Sequence, residues 1–456
     1  MKPYLWSPWA SAAAHPGRPA VLVDDEVCDF AGLVARADAF AAGLLARLPD
    51  GATVSTDLPV GPDFFALTLA ALRHGYGLFP VHPWLFDSPV AAALLGDLAV
   101  ELHVSDRAPT GLPCPVVDPV RLAAAGPGAA PTGPPPRAGH LAFTTSGTTG
   151  DPQAVRRARP PRPYKGVAVD DRYGAGPERG PHLMANPTYH LGTLGPALHA
   201  LQAGSAVVVQ RTWSPRRFAE LADRHGADSA FLSPDQLLDV VQARIAPRRR
   251  LAVVFHGGDA CPPAVKREAI DLLGPVLHEY YGTSEGVVTE ITTEEWLRRP
   301  GSVGRPLPGI RVEIRREGRP VPGGQLGEIC VRLRAADDGA LVRTGDAGFL
   351  DEAGYLSVIG RAESPDRFDR ARLEHEIRLV LEVADVAVVM HERPVCFVET
   401  RRDGATDPSE AVRAAAARLG LPEPTVLVHP AGTLPRTPSG KIRRAALTAG
   451  PQEGPG

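Results

Sequence analysis

The stretch LAFTTSGTTGDP, residues 141–152, decides the class of fold and of site expected for this chain. A short apolar run enters a segment made only of Thr, Ser and Gly, and a Gly-Asp-Pro turn follows. Glycines let backbone amides approach an anion, and hydroxyls donate hydrogen bonds to phosphate oxygens. The lysine of a Walker A loop is missing. The stretch therefore predicts a phosphate-binding loop whose positive charge comes from elsewhere; the alternative is a Ser/Thr-rich surface turn.

Helical and strand-like segments alternate around this loop. Apolar residues recur at helical spacing in 28–48 and 63–73, and short β-like runs lie between and after them. Beyond the polar, Pro-rich stretch 156–181 the alternation returns and continues to about residue 274. Such alternation is typical of βα units around a parallel sheet, so the chain is expected to be of the α/β class.

The texture of the chain changes near residue 301. Residues 302–333 are punctuated by Gly and Pro and alternate between polar and apolar side chains, which predicts a small antiparallel sheet or barrel. After Arg361 the last segment mixes helical and strand-like patterns. The expected domains are therefore 1–360, divided into αβ layers at 1–300 and a small β part at 301–360, and a C-terminal domain at 361–456.

Composition excludes several classes of protein. With 49 basic and 52 acidic residues among 456, the chain has no bias towards nucleic acid or a membrane surface. Its five cysteines are scattered singly, which supports neither a disulfide frame nor a zinc site. We expect a soluble cytoplasmic protein. Arginine supplies almost every cation, and the chain has only four lysines: Lys2, Lys165, Lys266 and Lys441.

A second motif, HEYYGTSEG, occupies residues 278–286. Its carboxylate, Glu285, could hold Mg²⁺, which takes oxygen ligands and often only one or two protein carboxylates. The same letters also fit the G-x-S-x-G elbow of a serine hydrolase, with Ser284 as nucleophile and a downstream histidine as base: His375, His391 or His429. An elbow needs a helix directly after its serine, whereas VVTEIT is strand-like. The hydrolase is therefore the weaker interpretation.

Two further motifs lie towards the C-terminus. In VRTGD, residues 342–346, the aspartate after a Thr-Gly turn could accept hydrogen bonds from a diol, and Arg361 follows at the start of the last segment. In LPRTPSGKIRR, residues 434–444, prolines and a Ser-Gly turn present Lys441 on a loop. The alternatives are a hairpin with a charged tip and a basic surface loop.

The order of these motifs resembles the adenylate-forming superfamily of acyl-CoA synthetases, peptide-synthetase adenylation domains and luciferases. The similarity covers nearly the whole chain. It includes ALRHGYGLFPVHP at 71–83, NPTYHLGTLG at 186–195, which resembles the segment lining the acyl pocket, and HGGDACPP at 256–263, which resembles the stretch beside adenine. The fold implied has a large N-terminal domain of doubly wound αβ layers plus a small β-barrel, and a small mobile α+β C-terminal lid with a hinge at Glu363.

The chemistry implied is attack of a carboxylate on the α-phosphate of ATP, giving an acyl-adenylate and pyrophosphate. By resemblance, Ser284 meets the α-phosphate, Glu285 holds Mg²⁺ and Lys441 bridges the carboxylate and the phosphate. The acid pocket would include His190, Gly192 and Phe255. The remaining implied ATP-binding residues are Thr145, Ser146, Gly147, Thr148, Thr149, Gly150, Gly257, Gly258, Asp259, Tyr281, Gly282, Thr283, Asp346 and Arg361.

Departures from the family pattern leave the acceptor open. Gln153 replaces the cation that usually ends the phosphate loop, and residues 361–368 lack the glycine-bearing loop that usually builds the thiol tunnel. We expect a small, possibly aromatic, acid to be passed to a thiol of CoA or of a carrier protein. The alternatives are an amine acceptor, activation of another small oxyanion such as nitrite, and a nucleotide-binding module that has lost catalysis.

Overall fold

A computed structural model describes most of the chain. The described residues are 7–87, 89–107, 109–124, 139–144, 153–156, 174–185, 189–283, 286–332, 341–362, 365–380, 382–401, 407–436 and 442–447. Contacts divide the chain into two compact units, one formed by 1–231 with 247–254 and the other by 232–246 with 255–456. The division expected near residue 360 falls inside the second unit and stays a prediction.

The helices of the described chain are mostly short and amphipathic or apolar. Two 3₁₀ turns, Pro83–Asp87 and Arg444–Ala446, accompany them. The α-helices are α1 Pro8–Ala14, α2 Phe30–Leu45, α3 Pro62–Arg73, α4 Val90–Asp97, α5 Pro119–Ala123, α6 Leu191–Ala203, α7 Pro215–His225, α8 Pro234–Ala243, α9 Pro263–Leu273, α10 Thr293–Arg298, α11 Pro365–Arg378 and α12 Ser409–Arg418.

The strands alternate with these helices in the first half of the chain and dominate from residue 277 to 361. In order they are β1 Pro19–Val23, β2 Glu26–Asp29, β3 Thr53–Thr56, β4 Gly77–Pro80, β5 Val100–Val104, β6 Val116–Val117, β7 His140–Thr144, β8 Ala154–Arg156, β9 His182–Met184, β10 Val207–Val209, β11 Ser229–Leu232, β12 Val253–Gly257, β13 Leu277–Thr283, β14 Gly286–Thr292, β15 Arg305–Pro306, β16 Arg311–Arg316, β17 Arg319–Pro320, β18 Gly327–Arg332, β19 Val342–Leu350, β20 Leu356–Arg361, β21 Val383–Met390, β22 Pro394–Thr400 and β23 Thr425–His429.

Two largely parallel sheets organise the first unit. One has the order β6-β5-β3-β4-β7-β8 and is parallel except for its last pair. The other has the run β2-β1-β10-β9-β11, in which only β1 and β2 are antiparallel. Helices α2 and α3 contribute Phe30, Leu33, Phe64 and Phe65 to one buried cluster with the strands. The α/β class expected from the alternation of patterns is confirmed.

Antiparallel pairing characterises the second unit. The end of β12 is followed across the sheet by β13, β14 and β15, and a separate sheet has the order β17-β16-β18-β19-β20. A third sheet, β21-β22-β23, shares one buried core with α11 and α12 through residues such as Leu373, Val386 and Val412. The antiparallel texture predicted after residue 301 and the α+β mixture predicted after Arg361 are both present.

Local signals explain where several helices begin. Ser214 accepts a hydrogen bond from the Arg217 amide, and Pro215 follows at the first helical position of α7. Capping boxes start α8, with Ser233 and Gln236, and α10, with Thr292 and Glu295. No helix in the described part of the chain has the length and the apolar character that spanning a membrane requires.

Candidate nucleotide and acid-activation site

The Thr/Ser/Gly loop connects the paired strands β7 and β8. The antiparallel register places Thr144 opposite Ala154 and Phe143 opposite Val155, so a hairpin brackets residues 145–153. The apolar run that precedes the loop is a buried strand, as the sequence predicts. Gln153 is exposed just before β8. Residues 145–152, and with them the predicted phosphate contacts, lie outside the described residues.

Three predicted nucleotide-binding residues meet at the edge of the five-stranded sheet. The Tyr281 hydroxyl donates to Asp346 Oδ2 at 2.7 Å, and Arg361 Nη1 donates to Asp346 Oδ1 at 2.9 Å. The pairing of β19 with β20 sets Asp346 directly opposite Arg361. Tyr281 lies on β13, 65 positions before Asp346 in the chain. The structure therefore brings together residues from three strands that the sequence offered as separate motifs.

Asp346 keeps acceptor capacity for a ligand. A carboxylate has about four lone-pair sites, and each Asp346 oxygen uses one on a protein donor. Burial, and then the Asp346 carboxylate, raise the pKa of Tyr281 well above its usual range, so the phenol remains a hydrogen-bond donor. The free lone pairs suit the two hydroxyls of a ribose. The residues present therefore fit the sugar of a nucleotide.

The turn before Asp346 has a backbone requirement that glycine meets. Gly345 has φ = 72°, in the left-handed region that disfavours residues with a side chain. A Cβ at this position would lie 3.2 Å from Arg361 Nη2. The Gly345 carbonyl also accepts from the Ala362 amide at 2.8 Å, and the Thr344 hydroxyl accepts from the Asp346 amide at 3.1 Å. The Thr-Gly-Asp sequence thus fixes the carboxylate against Arg361.

The Gly-Gly stretch lies against β13. A Cβ at Gly257 would come within 2.4 Å of the Tyr280 carbonyl oxygen, so a side chain there would force β12 away from β13. This close approach places the predicted adenine stretch beside the Tyr280–Tyr281 segment. Gly258 and Asp259 follow in the turn, where Asp259 Oδ1 accepts from the Ala260 amide at 2.8 Å. Their predicted contact with adenine stays a prediction.

The hydrolase interpretation of GTSEG is wrong on geometry. Thr283 pairs with Gly286 across the antiparallel strands β13 and β14, and β14 begins two residues after Ser284. A nucleophile elbow needs a helix at that point. Ser284 and Glu285 lie outside the described residues, so their roles towards the α-phosphate and Mg²⁺ stay predictions. Among the residues that are described, no cluster of three His, Cys, Asp or Glu side chains suits a metal ion.

The predicted acid-pocket residues belong to different units. In the first unit His190 precedes α6, and Gly192 lies within that helix. The ring centroids of His190 and His82 are 5.6 Å apart. Burial, and then His190, lower the pKa of His82 to about 4, so His82 is neutral at neutral pH. An open cleft of about 340 Å³ in this unit is lined by His82, Tyr189, Arg107 and Arg211, among others. In the second unit Phe255 is buried beside the rings of His278 and Tyr280.

Lys266 and Glu279 form a buried ion pair that the sequence patterns did not predict. Lys266 Nζ lies 2.5 Å from Glu279 Oε2, with side chains only 1% and 8% exposed. The same ammonium lies 4.7 Å from the centre of the Trp296 ring. Burial, and then Lys266, lower the pKa of the fully buried His256 well below its usual range, so His256 is neutral. The rarity of lysine in this chain singled out Lys266, and the structure shows that its role is in the packing of the protein interior.

The loop that carries Lys441 is closed at its base. Arg436 and Ile442 form an antiparallel bridge, and the Arg443 amide donates to the Pro435 carbonyl at 2.7 Å. Lys441 and the predicted hinge residue Glu363 lie outside the described residues, so their roles stay predictions. Arg436 and Ile442, which flank the 437–441 segment, are thereby held side by side.

The sequence of the chain matches a known protein family. The model of the family of AMP-binding enzymes matches residues 8–336. The chain therefore belongs to the AMP-binding enzyme family and, with it, to the adenylate-forming superfamily. It is therefore an AMP-binding enzyme, and acid–thiol ligases of the acyl-CoA synthetase kind are among its relatives.

One relative by sequence and two solved structures illustrate the similarity. A sulfoacetate–CoA ligase from Cupriavidus necator is 29% identical, with 98% of this chain and 94% of the relative covered. The solved o-succinylbenzoate CoA synthetase of Bacillus subtilis, bound to its acyl-adenylate, shares the fold at a TM-score of 0.74, with 20% identity and coverage of 97% and 98%. The amide bond synthetase of Marinactinospora thermotolerans shares it at 0.76, with 23% identity and coverage of 97% and 99%.

Replacing Asp346 with Asn is expected to raise the KM for ATP by about tenfold, since hydrogen bonds to a charged group contribute roughly 1.5–3 kcal/mol. The amide keeps the shape of the carboxylate but loses its charge and one acceptor. Steady-state kinetics with varied ATP measure the effect. Glu328→Gln is the matched control, because Glu328 on β18 pairs with the exposed Arg343 on β19, at 2.9 Å, in the same sheet. An equal rise in the control would mean that Asp346 acts only through the sheet.

Proposed function

We propose that this ligase activates a small carboxylic acid, with an aromatic acid as one option, as its acyl-adenylate and passes the acyl group to a thiol of CoA or of a carrier protein. The observation that carries the proposal is the convergence of Tyr281, Asp346 and Arg361 around a carboxylate that can accept hydrogen bonds from a ribose, within an AMP-binding fold. The similarity to acid–CoA ligases supports the thiol as acceptor.

In the first step the carboxylate of the acid attacks the α-phosphorus of ATP, and pyrophosphate leaves with the P–O bond electrons. Two anions must approach, so the site has to supply positive charge and hold the reactants in line. Asp346 would hold the ribose, while Tyr281 and Gly257 would flank the adenine. Ser284 and the 145–150 loop would bind the phosphates. Glu285 would hold Mg²⁺, which neutralises phosphate charge.

Lys441 would supply the charge that the phosphate loop lacks. Gln153 can donate a hydrogen bond but carries no charge, and the loop 144–150 has no basic residue. A lysine ammonium is a compact point charge on a flexible stem, whereas a guanidinium is planar and best at bidentate contacts. A chain that otherwise uses arginine almost throughout therefore has a physical reason to keep lysine at this position.

A small acid is favoured by the surroundings of His190. The neutral His82 ring and the buried Tyr189 form aromatic surface near His190, and the adjacent cleft, at about 340 Å³, is at the small end for ligand pockets. Such surroundings suit a short or aromatic acid better than a long fatty chain.

A panel of acids tests the function. Pyrophosphate release is measured with acetate, benzoate, salicylate, sulfoacetate, o-succinylbenzoate and a long-chain fatty acid, each with and without CoA. We expect release that depends on one of the small acids and a CoA or carrier-protein thioester in the mass spectrum. Release that is independent of any acid, or highest with the fatty acid, would contradict the proposal.

An amine acceptor is the second candidate. The segment 361–368 departs from the glycine-bearing loop expected for a thiol tunnel, and an amide bond synthetase shares the fold. The same panel with primary amines and nitrite in place of CoA separates the outcomes. An amide product without a thioester would favour this candidate, and a product with nitrite would favour activation of that oxyanion.

A further inference from the structure

Arg436 and three carboxylates form a partly buried ion cluster at the base of the lysine-bearing loop. Arg436 Nη2 lies 2.5 Å from Glu399 Oε2, and Nη1 lies 3.1 Å from Asp385 Oδ2 and 3.2 Å from Asp235 Oδ1. The Arg436 side chain is 20% exposed and Glu399 is fully buried. We call these four residues the Arg436 cluster. No sequence motif predicted it, because its members are up to 201 positions apart.

The cluster joins two stretches of the second unit. Asp235 lies in the first turn of α8, inside the part matched by the AMP-binding family model, whereas Asp385, Glu399 and Arg436 lie beyond that part. Charge-assisted hydrogen bonds from a guanidinium fix both distance and direction. Asp235 is therefore the member through which Arg436 is positioned on the AMP-binding part of the chain.

Backbone contacts connect the cluster to the residues on both sides of the 437–441 segment. Arg436 bridges to Ile442, and Glu399 Oε1 accepts from the Leu434 amide at 2.7 Å. Ile442 packs on the core formed by Ala387, Phe397 and Leu434. The backbone on both sides of the segment is thereby tied to a guanidinium that Asp235 holds. A shift of Arg436 would move the residue that precedes Thr437 and the one that follows Lys441.

We infer that Asp235 is a positioning residue for acid adenylation: through Arg436 it sets where the Lys441-bearing segment begins and ends relative to the AMP-binding part. This inference rests on the proposed role of Lys441. Asp235 touches no substrate in this account, and its effect is geometric. Displacement of a catalytic group by about 1 Å can cost on the order of 100-fold in rate, so a single distant carboxylate is enough.

Asp235→Ala tests the inference with the full chain. We expect kcat for acid-dependent ATP–pyrophosphate exchange to fall about 10- to 100-fold. The KM for ATP should stay within about twofold, because no ATP contact is removed. Arg436 keeps its bonds to Asp385 and Glu399, so the melting temperature should move by only about 2 °C. Asp235→Asn, which retains an acceptor oxygen, should recover part of kcat.

Glu268→Ala is the matched control. Glu268 on α9 pairs with Arg401, so it also joins the family-matched part to the C-terminal stretch, through a different arginine. Its kcat should stay within about twofold of the unmodified chain, as for most partly exposed ion pairs. An equal loss in Glu268→Ala would overturn the inference, since docking in general would then explain both results. An unchanged kcat in Asp235→Ala would also overturn it.

Lys441→Ala, measured in parallel, separates this inference from the proposed function. If Lys441→Ala loses exchange and Asp235→Ala does not, the inference alone fails. If Lys441→Ala keeps the full exchange rate, the role assigned to Lys441 fails and the inference fails with it. Loss in both variants, with the kcat effect restored in part by Asp235→Asn, is the expected result.

Discussion

Replacing Lys441 with Ala is expected to lower the rate of acid-dependent ATP–pyrophosphate exchange by about 100- to 1,000-fold, the usual cost of removing one group aimed at developing charge. The reaction brings a carboxylate against a triphosphate, and the loop 144–150 contains no basic residue. Water and Mg²⁺ would still screen part of the repulsion, so binding of ATP should change much less than the rate. Exchange of labelled pyrophosphate into ATP measures the effect.

Two companion variants sharpen this test. Arg443→Ala removes an exposed cation two residues away and should leave the rate within about twofold. Lys441→Arg keeps the charge but changes its shape, and we expect it to recover only a small part of the rate. Undiminished exchange in Lys441→Ala would contradict the assigned role, and full recovery by arginine would contradict the argument from a point charge.

Replacing Lys266 with Met is expected to destabilise the second unit by about 3–5 kcal/mol, because Glu279 would be left buried without its ion-pair partner. The pair is 2.5 Å apart, and Lys266 is 1% exposed. The ammonium also loses its contact with the Trp296 ring, at 4.7 Å. Tryptophan fluorescence during urea unfolding, together with hydrogen exchange of β13, measures the change.

Two further variants show whether the loss of stability comes from the unpaired charge or from altered packing. In the double variant Lys266→Met, Glu279→Met, most of the stability should return, since apolar replacement of a whole buried pair is often close to neutral. Arg267→Met changes an exposed residue whose guanidinium lies 5.8 Å from the same ring, and it should shift stability by less than about 1 kcal/mol. A double variant no more stable than Lys266→Met would mean that the loss comes from packing.

Local sequence patterns were sufficient for most of the secondary structure. The helical spacing in 28–48 and 63–73 corresponds to α2 and α3, and the β-branched runs correspond to β10, β11 and β12. The strand predicted after Ser284 is β14, which removed the hydrolase alternative. These features depend on neighbours within a few residues, so periodicity and turn chemistry carry the information.

The order of the motifs was likewise enough to recognise the family, and it singled out Tyr281, Asp346 and Arg361. It did not show that Tyr281 and Arg361 bond to the same carboxylate, because that requires β13, β19 and β20 to be brought together. The same limit applies to the choice of the acid, since His190 and Phe255 lie on separate elements whose side-chain directions no motif encodes.

The lysines show the difference between what the sequence reveals and what only the folded structure reveals. Composition marked Lys266 and Lys441 as equally unusual in an arginine-rich chain. The structure gives Lys266 a packing role: its side chain is enclosed between Glu279 and Trp296, where a charge is tolerated only with a partner. Likewise Asp235 and Arg436, 201 positions apart, acquire a shared role only when the chain folds. Residue types and their spacing determine the elements and the chemistry on offer, whereas long-range packing determines which charges meet and which are removed from water.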